Sequence, residues 1–337
     1  MIGMKRWTAA ATLAIAVGFS GQALAQKQDL TLVVPNPSAL NNFTLHVAIG
    51  EGYFEDEGLN VSVEAVNGSA SVLQLLASGQ ADIGQPGPGP LLAARARGED
   101  VVFIYNYFAK SVFGLVVAED SPVQQPADLK DKVVGVGTAD GAEVGFTRSI
   151  LADAGLTEGT DYEFLAIGDG GTAIAAFLYM EVDAYAAAVS DAAIIEARGI
   201  PLREITPESH FGYFGNGWAV TRTFLEENKE TLEKFGRALV RATHFGMDEA
   251  NRETVLKHNA AANPQEGEDK ELADALLTGI QSRVLSLDPN DPIGYQPPES
   301  WKMWHDSLVE SGGLPGPMDD LEAAYTNEFV ETWNAAP

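Results

Sequence analysis

Cysteine is absent from the 337-residue chain. Its absence excludes disulfide bonds, thiol nucleophiles and thiolate metal sites, so apolar packing alone must hold the fold. Basic residues are also few: 21 Lys and Arg stand against 48 Asp and Glu, for a formal charge of −27. Such a chain repels the phosphate backbone, and we expect no nucleic-acid partner. The five histidines show no metal-ligand spacing, so no metal site is predicted.

Long hydrophobic runs are missing except near the N-terminus. Lys5 and Arg6 precede an apolar stretch from residue 7 to 19, and Ala23-Leu24-Ala25 follows. A basic start, an apolar centre and a small-x-small site are typical of a secretory signal peptide. The stretch is shorter than the roughly 20 residues that span a bilayer. We expect cleavage after Ala25 and a protein of the periplasm; an uncleaved N-terminal anchor is the alternative.

Short apolar segments alternate with helical patterns along most of the chain. Strand-like segments fall at residues 30–35, 61–66, 101–108, 133–137, 162–167 and 184–189. Helical patterns lie between many of them, which predicts an α/β protein with two largely parallel sheets. Longer helical stretches are predicted after residue 221, at 224–251, 270–285, 299–311 and 321–333.

One pattern occurs twice. Residues 67–84 read NGSASVLQLLASGQADIG, and residues 169–185 read DGGTAIAAFLYMEVDAY. Placing Asp82 on Asp183 also places Ala81 on Val182. This predicts the same helix–strand unit in each of two lobes, although a chance match of two ordinary units is the alternative. Ligands of open α/β sheets bind at the carboxyl ends of the strands, so two such lobes would form a cleft.

Three segments carry a resemblance to a known family. They read HVAIGEGYFEDEGLNVSV (46–63), LLASGQADIGQPGPGPLLAARARGEDVVFI (75–104) and DLKDKVVGVGTADGAEVGFTRSILADAGL (128–156). The chain resembles the periplasmic substrate-binding proteins of ABC importers for sulfonates, taurine, nitrate and thiamine pyrimidine precursors. The resemblance implies a two-lobed type II fold, a hinge of two crossing segments, a ligand cleft between the lobes, a monomer, and an ABC permease in the inner membrane as partner.

The resemblance also implies where the lobes lie. Residues 26–117 and 213–337 would form lobe 1, and residues 118–212 would form lobe 2. The crossing segments would be residues 113–118 and 215–221. Ligand contacts would come from loops at strand ends and from the return crossing: Asn36, Ser38, Asn42, Phe43, Gly68, Ser69, Ala70, Gln85, Pro86, Thr138, Asp140, Ser190, Asp191, Asn216 and Trp218.

Several of these residues have an ordinary structural alternative. Ser69, Thr138, Asp140 and Asp191 could all be helix N-caps. If the two aspartates face the cleft, they accept hydrogen bonds from amino groups and repel anions. Trp218 between small residues could stack on a flat ring. These features favour a nitrogenous heteroaromatic ligand such as an aminopyrimidine. A sulfonate, taurine or nitrate ligand is the alternative.

Catalysis is not indicated. Residues 85–90 read QPGPGP but lack the Lys and Ser/Thr of a phosphate loop, and no G-x-S-x-G motif occurs. Some fungal proteins related to the family that this chain resembles are enzymes that make the thiamine pyrimidine with iron and a cysteine cluster. This chain has no Cys. We therefore expect a binding protein without a cofactor. A sensor or chemotaxis partner would leave the same marks as a permease.

Overall fold

A computed structural model describes residues 27–139, 141–168, 171–179, 181–210 and 212–335. The predicted signal peptide and Asp140 lie outside these residues. The strands are β1 Gln28–Val34, β2 Leu59–Ala65, β3 Ile83–Gly84, β4 Val101–Tyr105, β5 Phe113–Ala118, β6 Lys132–Val136, β7 Tyr162–Ala166, β8 Ala184–Ala188, β9 Leu202–Glu204 and β10 Trp218–Thr221. The helices are α1 Phe43–Gly50, α2 Tyr53–Asp56, α3 Gly68–Ala77, α4 Pro88–Ala96, α5 Ala142–Asp153, α6 Gly171–Leu178, α7 Val189–Ala197, α8 Arg222–Glu227, α9 Lys229–Met247, α10 Arg252–Ala262, α11 Lys270–Val284, α12 Pro298–Glu310 and α13 Val330–Asn334.

Two five-stranded mixed sheets with the same strand pattern form the framework. The first sheet has the order β2-β1-β3-β10-β4, and the second has the order β7-β6-β8-β5-β9. In each sheet the first three strands are parallel and the fourth runs antiparallel to its neighbours. The α/β fold class and the two sheets predicted from the sequence are confirmed.

The C-terminal region covers an edge strand that the sequence makes apolar on both faces. β4 reads VVFIY, and all five residues are buried. Trp301 packs edge-on against Phe103 with 5.3 Å between ring centroids, and Trp333 contacts Tyr105 at 5.3 Å. The Thr326 N–H donates to the Phe103 carbonyl at 3.0 Å, which pairs part of the open backbone edge. The C-terminal region thus covers the β4 edge of the first sheet.

The repeated sequence pattern is a structural repeat. The Asp82 carboxylate accepts a hydrogen bond from the Thr31 N–H at 2.7 Å, and the Asp183 carboxylate accepts one from the Val133 N–H at 3.0 Å. The N–H groups of the two aspartates donate back to the Thr31 and Val133 carbonyls, at 2.9 and 2.8 Å. Asp82 therefore holds the start of β3 against β1, and Asp183 holds the start of β8 against β6.

Removal of either carboxylate is expected to destabilise the protein to a similar degree. Asp82→Ala and Asp183→Ala each leave a partly buried N–H without its acceptor, which costs about 1–2 kcal/mol of unfolding free energy. Urea denaturation followed by circular dichroism measures the loss. Asp120→Ala, at an exposed turn residue of lobe 2, is the control and should change little. A large effect at one aspartate and none at the other would show that the two units are not equivalent.

Two segments link the sheets: residues 106–112 form the outward link, and residues 205–217 form the return link. They pair with each other: the Phe108 N–H donates to the Asn216 carbonyl at 3.0 Å, and the Gly215 N–H donates to the Phe108 carbonyl at 2.7 Å. The predicted crossings at 113–118 and 215–221 need correction, because residues 113–118 form β5 of the second sheet and residues 218–221 form β10 of the first. Both stretches are apolar enough to be buried strands. The lobe boundaries are accordingly proposed to fall within the two links.

Two C-terminal helices touch both lobes at the ends of their strands. Leu308 of α12 lies 3.9 Å from an ideal Cβ on Gly89, near the start of α4, and 3.5 Å from one on Gly145 in α5. In α11, an ideal Cβ on Gly279 would lie 2.7 Å from the Val189 side chain at the start of α7. Since α4, α5 and α7 follow β3, β6 and β8, the carboxyl edges of the two sheets come together beside these helices. The space between those edges is the candidate cleft.

Candidate ligand-binding cleft

The loop after β3 provides a buried amide on the lobe 1 side of the cleft. The Gln85 N–H donates to the Val33 carbonyl at 2.9 Å, which fixes the loop on β1. The Gln85 side chain is 2% exposed, and among the described residues its Nε2 has no hydrogen-bond partner. A buried polar group without a partner costs roughly 1–3 kcal/mol. Gln85 is therefore the strongest lobe 1 candidate to donate a hydrogen bond to a ligand.

Asn42, just before α1, has an unpaired hydrogen-bond acceptor, whereas Gln85 has an unpaired donor. The residue is 1% exposed, and its Nδ2 donates to the Ser38 carbonyl at 3.3 Å. Its Oδ1 has no partner within the described part of the chain. Burial raises the pKa of the Tyr107 phenol in the outward link, and its hydroxyl has no hydrogen-bond partner among the described residues. The Asn42 side-chain carbonyl can thus accept a hydrogen bond from a ligand.

Ser69 and Asn216 hold the cleft loops together. The Ser69 Oγ accepts a hydrogen bond from the Gly87 N–H at 3.0 Å, whereas the N-cap of α3 is Asn67. The Asn216 Nδ2 donates to the Gln85 carbonyl at 3.2 Å. The Pro86 carbonyl accepts from the N–H of Gly217 at 3.3 Å. The alternative interpretation of Ser69 as an N-cap is wrong, since its hydroxyl ties the loop after β2 to the loop after β3.

Two predicted contact residues also pack into the core. Trp218 is 1% exposed and packs edge-on against Phe235 of α9, with 5.4 Å between the ring centroids. Phe43 is fully buried, and its ring lies 2.6 Å from an ideal Cβ on Gly246 of α9. Helix α9 thus covers part of each ring. The Trp218 Nε1, like the Gln85 Nε2, has no hydrogen-bond partner among the described residues, and ligand contact by Trp218 or Phe43 stays a prediction. The small neighbours of Trp218 in the sequence gave no sign of this helix.

Four other predicted residues of the first sheet's edge lie in the loop after β1 and in the first turn of α3. The Asn36 Oδ1 accepts from the Ser38 N–H at 3.1 Å, and the Ser38 Oγ accepts from the Asn41 N–H at 3.2 Å. These hydrogen bonds fix the conformation of the loop after β1, so both side chains have a structural role. Gly68 has a φ of +82°, which favours glycine, and Ala70 is exposed. Their contacts with a ligand stay predictions.

Lobe 2 contributes a buried carboxylate that sequence reasoning missed. Glu143, in the first turn of α5, is 7% exposed and accepts a hydrogen bond from the Thr138 N–H at 2.9 Å. Thr138 is half-buried. The sequence signal that could have identified Glu143 was an acidic residue in the first turn of a helix that follows a strand, because the helix dipole stabilises negative charge there. Glu143 shapes the loop on which Thr138 lies.

Asp191 lies at the same edge of the second sheet. It is 6% exposed and accepts a hydrogen bond from the Tyr185 hydroxyl at 2.9 Å, and that hydroxyl lies 3.4 Å from the Gly168 carbonyl. The N-cap of α7 is Ala188, so Asp191 is not the cap. Ser190 beside it is half-buried. Tyr185 was missed because β8 is otherwise a run of small apolar residues.

The electrostatics of this edge favour a ligand that donates hydrogen bonds. Asp191 and Glu143 are both buried acids at the carboxyl ends of β8 and β6. Arg148, the basic residue considered for this lobe, pairs with Glu158 at 2.7 Å and lies over the Phe164 ring. A buried carboxylate repels a sulfonate or nitrate and attracts N–H groups.

Neither a metal-binding cluster nor a membrane-spanning helix is found among the described residues. In that part of the chain, no three His, Asp or Glu side chains are placed to hold a metal ion. Nor does any helix within the described ranges combine the length and apolar character needed to cross a membrane.

His46 makes stability depend on pH. Burial lowers the pKa of this α1 histidine to about 4, against roughly 6.5 in an unfolded chain. Between these values the unfolded chain binds a proton that the folded chain does not, so stability falls as the pH drops through this window. The loss should be on the order of 2–3 kcal/mol. Chemical denaturation of wild type and His46→Gln at about pH 7 and about pH 4.5 measures it; a parallel loss in both proteins would contradict the assignment.

Comparison with known proteins places the chain in a family. Residues 40–252 match the family model described as NMT1/THI5-like. The chain belongs to the NMT1/THI5-like family. This NMT1/THI5-like protein is 24% identical over 308 residues to riboflavin-binding protein RibY of Chloroflexus aurantiacus, covering 90% of the chain and 86% of that relative. It is 26% identical over 279 residues to the formylaminopyrimidine-binding protein of Halalkalibacterium halodurans, covering 79% and 80%.

The fold of the NMT1/THI5-like protein is that of the two-lobed periplasmic binding proteins. The solved structure of the periplasmic aliphatic sulphonate binding protein SsuA from Escherichia coli superposes with a TM-score of 0.69 at 18% identity, covering 88% of this chain and 91% of that one. A shorter similarity, 33% over 92 residues and 27% of each chain, joins it to 4-amino-5-hydroxymethyl-2-methylpyrimidine phosphate synthase of Aspergillus parasiticus. The predicted family and fold are confirmed.

Proposed function

We propose that this protein is an extracytoplasmic solute-binding protein that captures a small nitrogenous heteroaromatic, an aminopyrimidine above all, between its lobes. The observation that carries the proposal is the polarity of the two facing edges. One edge holds the buried Asp191 carboxylate, and the other holds the buried Gln85 and Asn42 amides. Each of these two amides has one atom without a hydrogen-bond partner among the described residues. An aminopyrimidine matches this set, since it has amino donors at its rim and ring nitrogens that accept.

Each edge has a distinct role in this proposal. The Asp191 carboxylate accepts from the ligand amino group while Tyr185 holds it in place at 2.9 Å. The Gln85 Nε2 donates to a ring nitrogen from the opposite lobe. Because both lobes must contact the ligand at once, binding favours the closed arrangement by the extra affinity that the second lobe provides. The two paired links would serve as the hinge.

Delivery to an ABC importer completes the proposal. The relatives named for binding riboflavin and formylaminopyrimidine match most of this chain, whereas the similarity to a synthase covers 27% of it. The cysteine-free sequence also lacks the thiolates that thiol or metal–thiolate catalysis would use. We therefore propose a carrier that acts as a monomer in the periplasm, releases its ligand unchanged to an inner-membrane permease, and carries no catalytic function.

Riboflavin is a second candidate ligand. The riboflavin-binding relative covers 90% of this chain, more than the formylaminopyrimidine-binding relative does. Riboflavin is also a nitrogenous heteroaromatic, but it is larger and carries a ribityl chain that the cleft would have to hold.

Isothermal titration calorimetry on the chain from Gln26 onward tests the function. Formylaminopyrimidine, riboflavin, taurine, an alkanesulfonate and nitrate would be titrated in turn. The proposal predicts saturable binding of formylaminopyrimidine and recovery of the unchanged compound by chromatography after denaturation. Binding of sulfonates or nitrate alone would overturn the ligand class, and chemical conversion of a bound compound would overturn the carrier function.

A further inference from the structure

Helix α7, which carries Asp191, packs on the cores of both sheets. Its Ile195 is fully buried among side chains of the second sheet. Ala193 and Ile194 of the same helix pack against the core of the first sheet. Helix α11 contributes Leu276 to that core, and α7 and α11 lie side by side. The contact between α7 and α11 is therefore an apolar contact between the lobes.

Gly279, in the interior of α11, lies where the two helices come close together. An ideal Cβ on this residue would lie 2.7 Å from the Val189 Cγ1, which is nearer than two carbon atoms pack. Because a valine side chain is stiff about χ1, this methyl group does not turn away easily. Glycine is less favourable than alanine inside a helix, so helix formation does not explain this glycine. The close packing of α7 explains it.

The outward link holds one end of each helix. At the start of α7, the Val189 N–H donates to the Val112 carbonyl at 2.8 Å. At the end of α11, the Lys110 N–H donates to the Arg283 carbonyl at 3.1 Å, and the Lys110 ammonium donates to the Ser282 carbonyl at 3.2 Å. Since these anchors on the link are two residues apart, added bulk between the helices would have to displace α7 or distort the link.

The position of α7 decides where the Asp191 carboxylate lies, since this residue is in the first turn of the helix. We propose that Gly279 is a positioning residue: by allowing α7 to pack on α11, it holds Asp191 near enough to lobe 1 for one ligand to contact both lobes. The inference rests on the proposed function, in which Asp191 and Gln85 bind the same ligand. Gly279 is assigned no contact of its own with that ligand.

Gly279→Ala should weaken formylaminopyrimidine binding by about tenfold in calorimetric titration, because the added methyl group overlaps Val189 and displaces α7. The melting temperature of the ligand-free variant should stay near the wild-type value, since separation of the helices relieves the overlap. Gly316→Ala, where an added Cβ meets nothing within 4 Å, is the control and should bind like wild type. Wild-type affinity in Gly279→Ala would overturn the inference.

A second substitution separates positioning from a general defect. Val189→Ala removes the methyl group that the new side chain would overlap, so Gly279→Ala with Val189→Ala should bind far more tightly than Gly279→Ala alone. Val189→Ala by itself completes the double-mutant cycle. A loss of affinity that Val189→Ala does not restore would show that Gly279 does not act through this contact.

A measurement without ligand keeps the inference apart from the proposed function. Spin labels at Glu64→Cys on β2 and Glu163→Cys on β7 report the distance between the lobes by double electron–electron resonance. Gly279→Leu should shift the ligand-free distance distribution, and Gly316→Leu should not; if Gly279→Leu fails to fold, Gly279→Ala takes its place. An unchanged distribution would overturn the inference. Failure of the wild type to bind formylaminopyrimidine would overturn the proposed function, and the ligand-free distances would still decide whether Gly279 sets the separation of the lobes.

Discussion

Asp191→Asn is expected to weaken the binding of formylaminopyrimidine by roughly ten- to a hundredfold, because it removes the charge from the strongest acceptor in the cleft. Asparagine keeps the size of the side chain and can still accept from the Tyr185 hydroxyl, which now lies 2.9 Å from the carboxylate. The change therefore tests charge rather than packing. Calorimetric titration of wild type and variant gives the two dissociation constants.

Two controls separate this charge effect from general ones. Asp120→Asn makes the same chemical change at an exposed turn of lobe 2 and should leave affinity unchanged. The melting temperature of ligand-free Asp191→Asn reports whether the variant is folded. Undiminished affinity in a folded Asp191→Asn protein would show that the carboxylate does not face the ligand.

Gly217→Ala is expected to lower the unfolding free energy by about 3 kcal/mol, an unusually large effect for one added methyl group. A Cβ at this position would overlap the Tyr105 carbonyl oxygen and the Phe103 ring. The Phe103 ring cannot move aside easily, since it packs edge-on against Phe214 at 5.7 Å and Trp301 at 5.3 Å. Close approach of the return link to β4 therefore requires glycine.

Gly316→Ala is the matched control for Gly217→Ala, because an added Cβ there meets nothing within 4 Å. Urea denaturation of both variants measures the difference. The Gly217 variant should unfold at a clearly lower urea concentration and the Gly316 variant near the wild-type value. Equal midpoints in all three proteins would contradict the described packing of the return link against β4.

The sequence predicted the architecture better than the site. Alternating strands and helices, and the repeat that pairs Asp82 with Asp183, depend on local patterns, and the structure reproduces both. The crossings were misplaced because β5 and β10 are apolar strands whose partners lie far away in the sequence. Local pattern identifies a strand but does not say which sheet it joins.

The roles of single side chains depended on distant elements. Trp218 and Phe43 were predicted at the ligand, and the sequence around them did not show that α9, from later in the chain, packs against both rings. Asp191 lies at the predicted edge, yet its Tyr185 partner and the nearby Glu143 were not foreseen. Sequence marks the loops at the carboxyl ends of strands, whereas tertiary packing decides which of their side chains remain available.

Distance measurement between the lobes tests most directly whether a ligand is captured by closure. The cysteine-free chain allows spin labels at Glu64→Cys on β2 and Glu163→Cys on β7, two exposed positions on outer strands of the two sheets. Double electron–electron resonance should show the interlabel distance shift to a single narrower distribution with saturating formylaminopyrimidine, and no such shift with nitrate. An identical distribution with and without a ligand that calorimetry shows to be bound would contradict capture between the lobes.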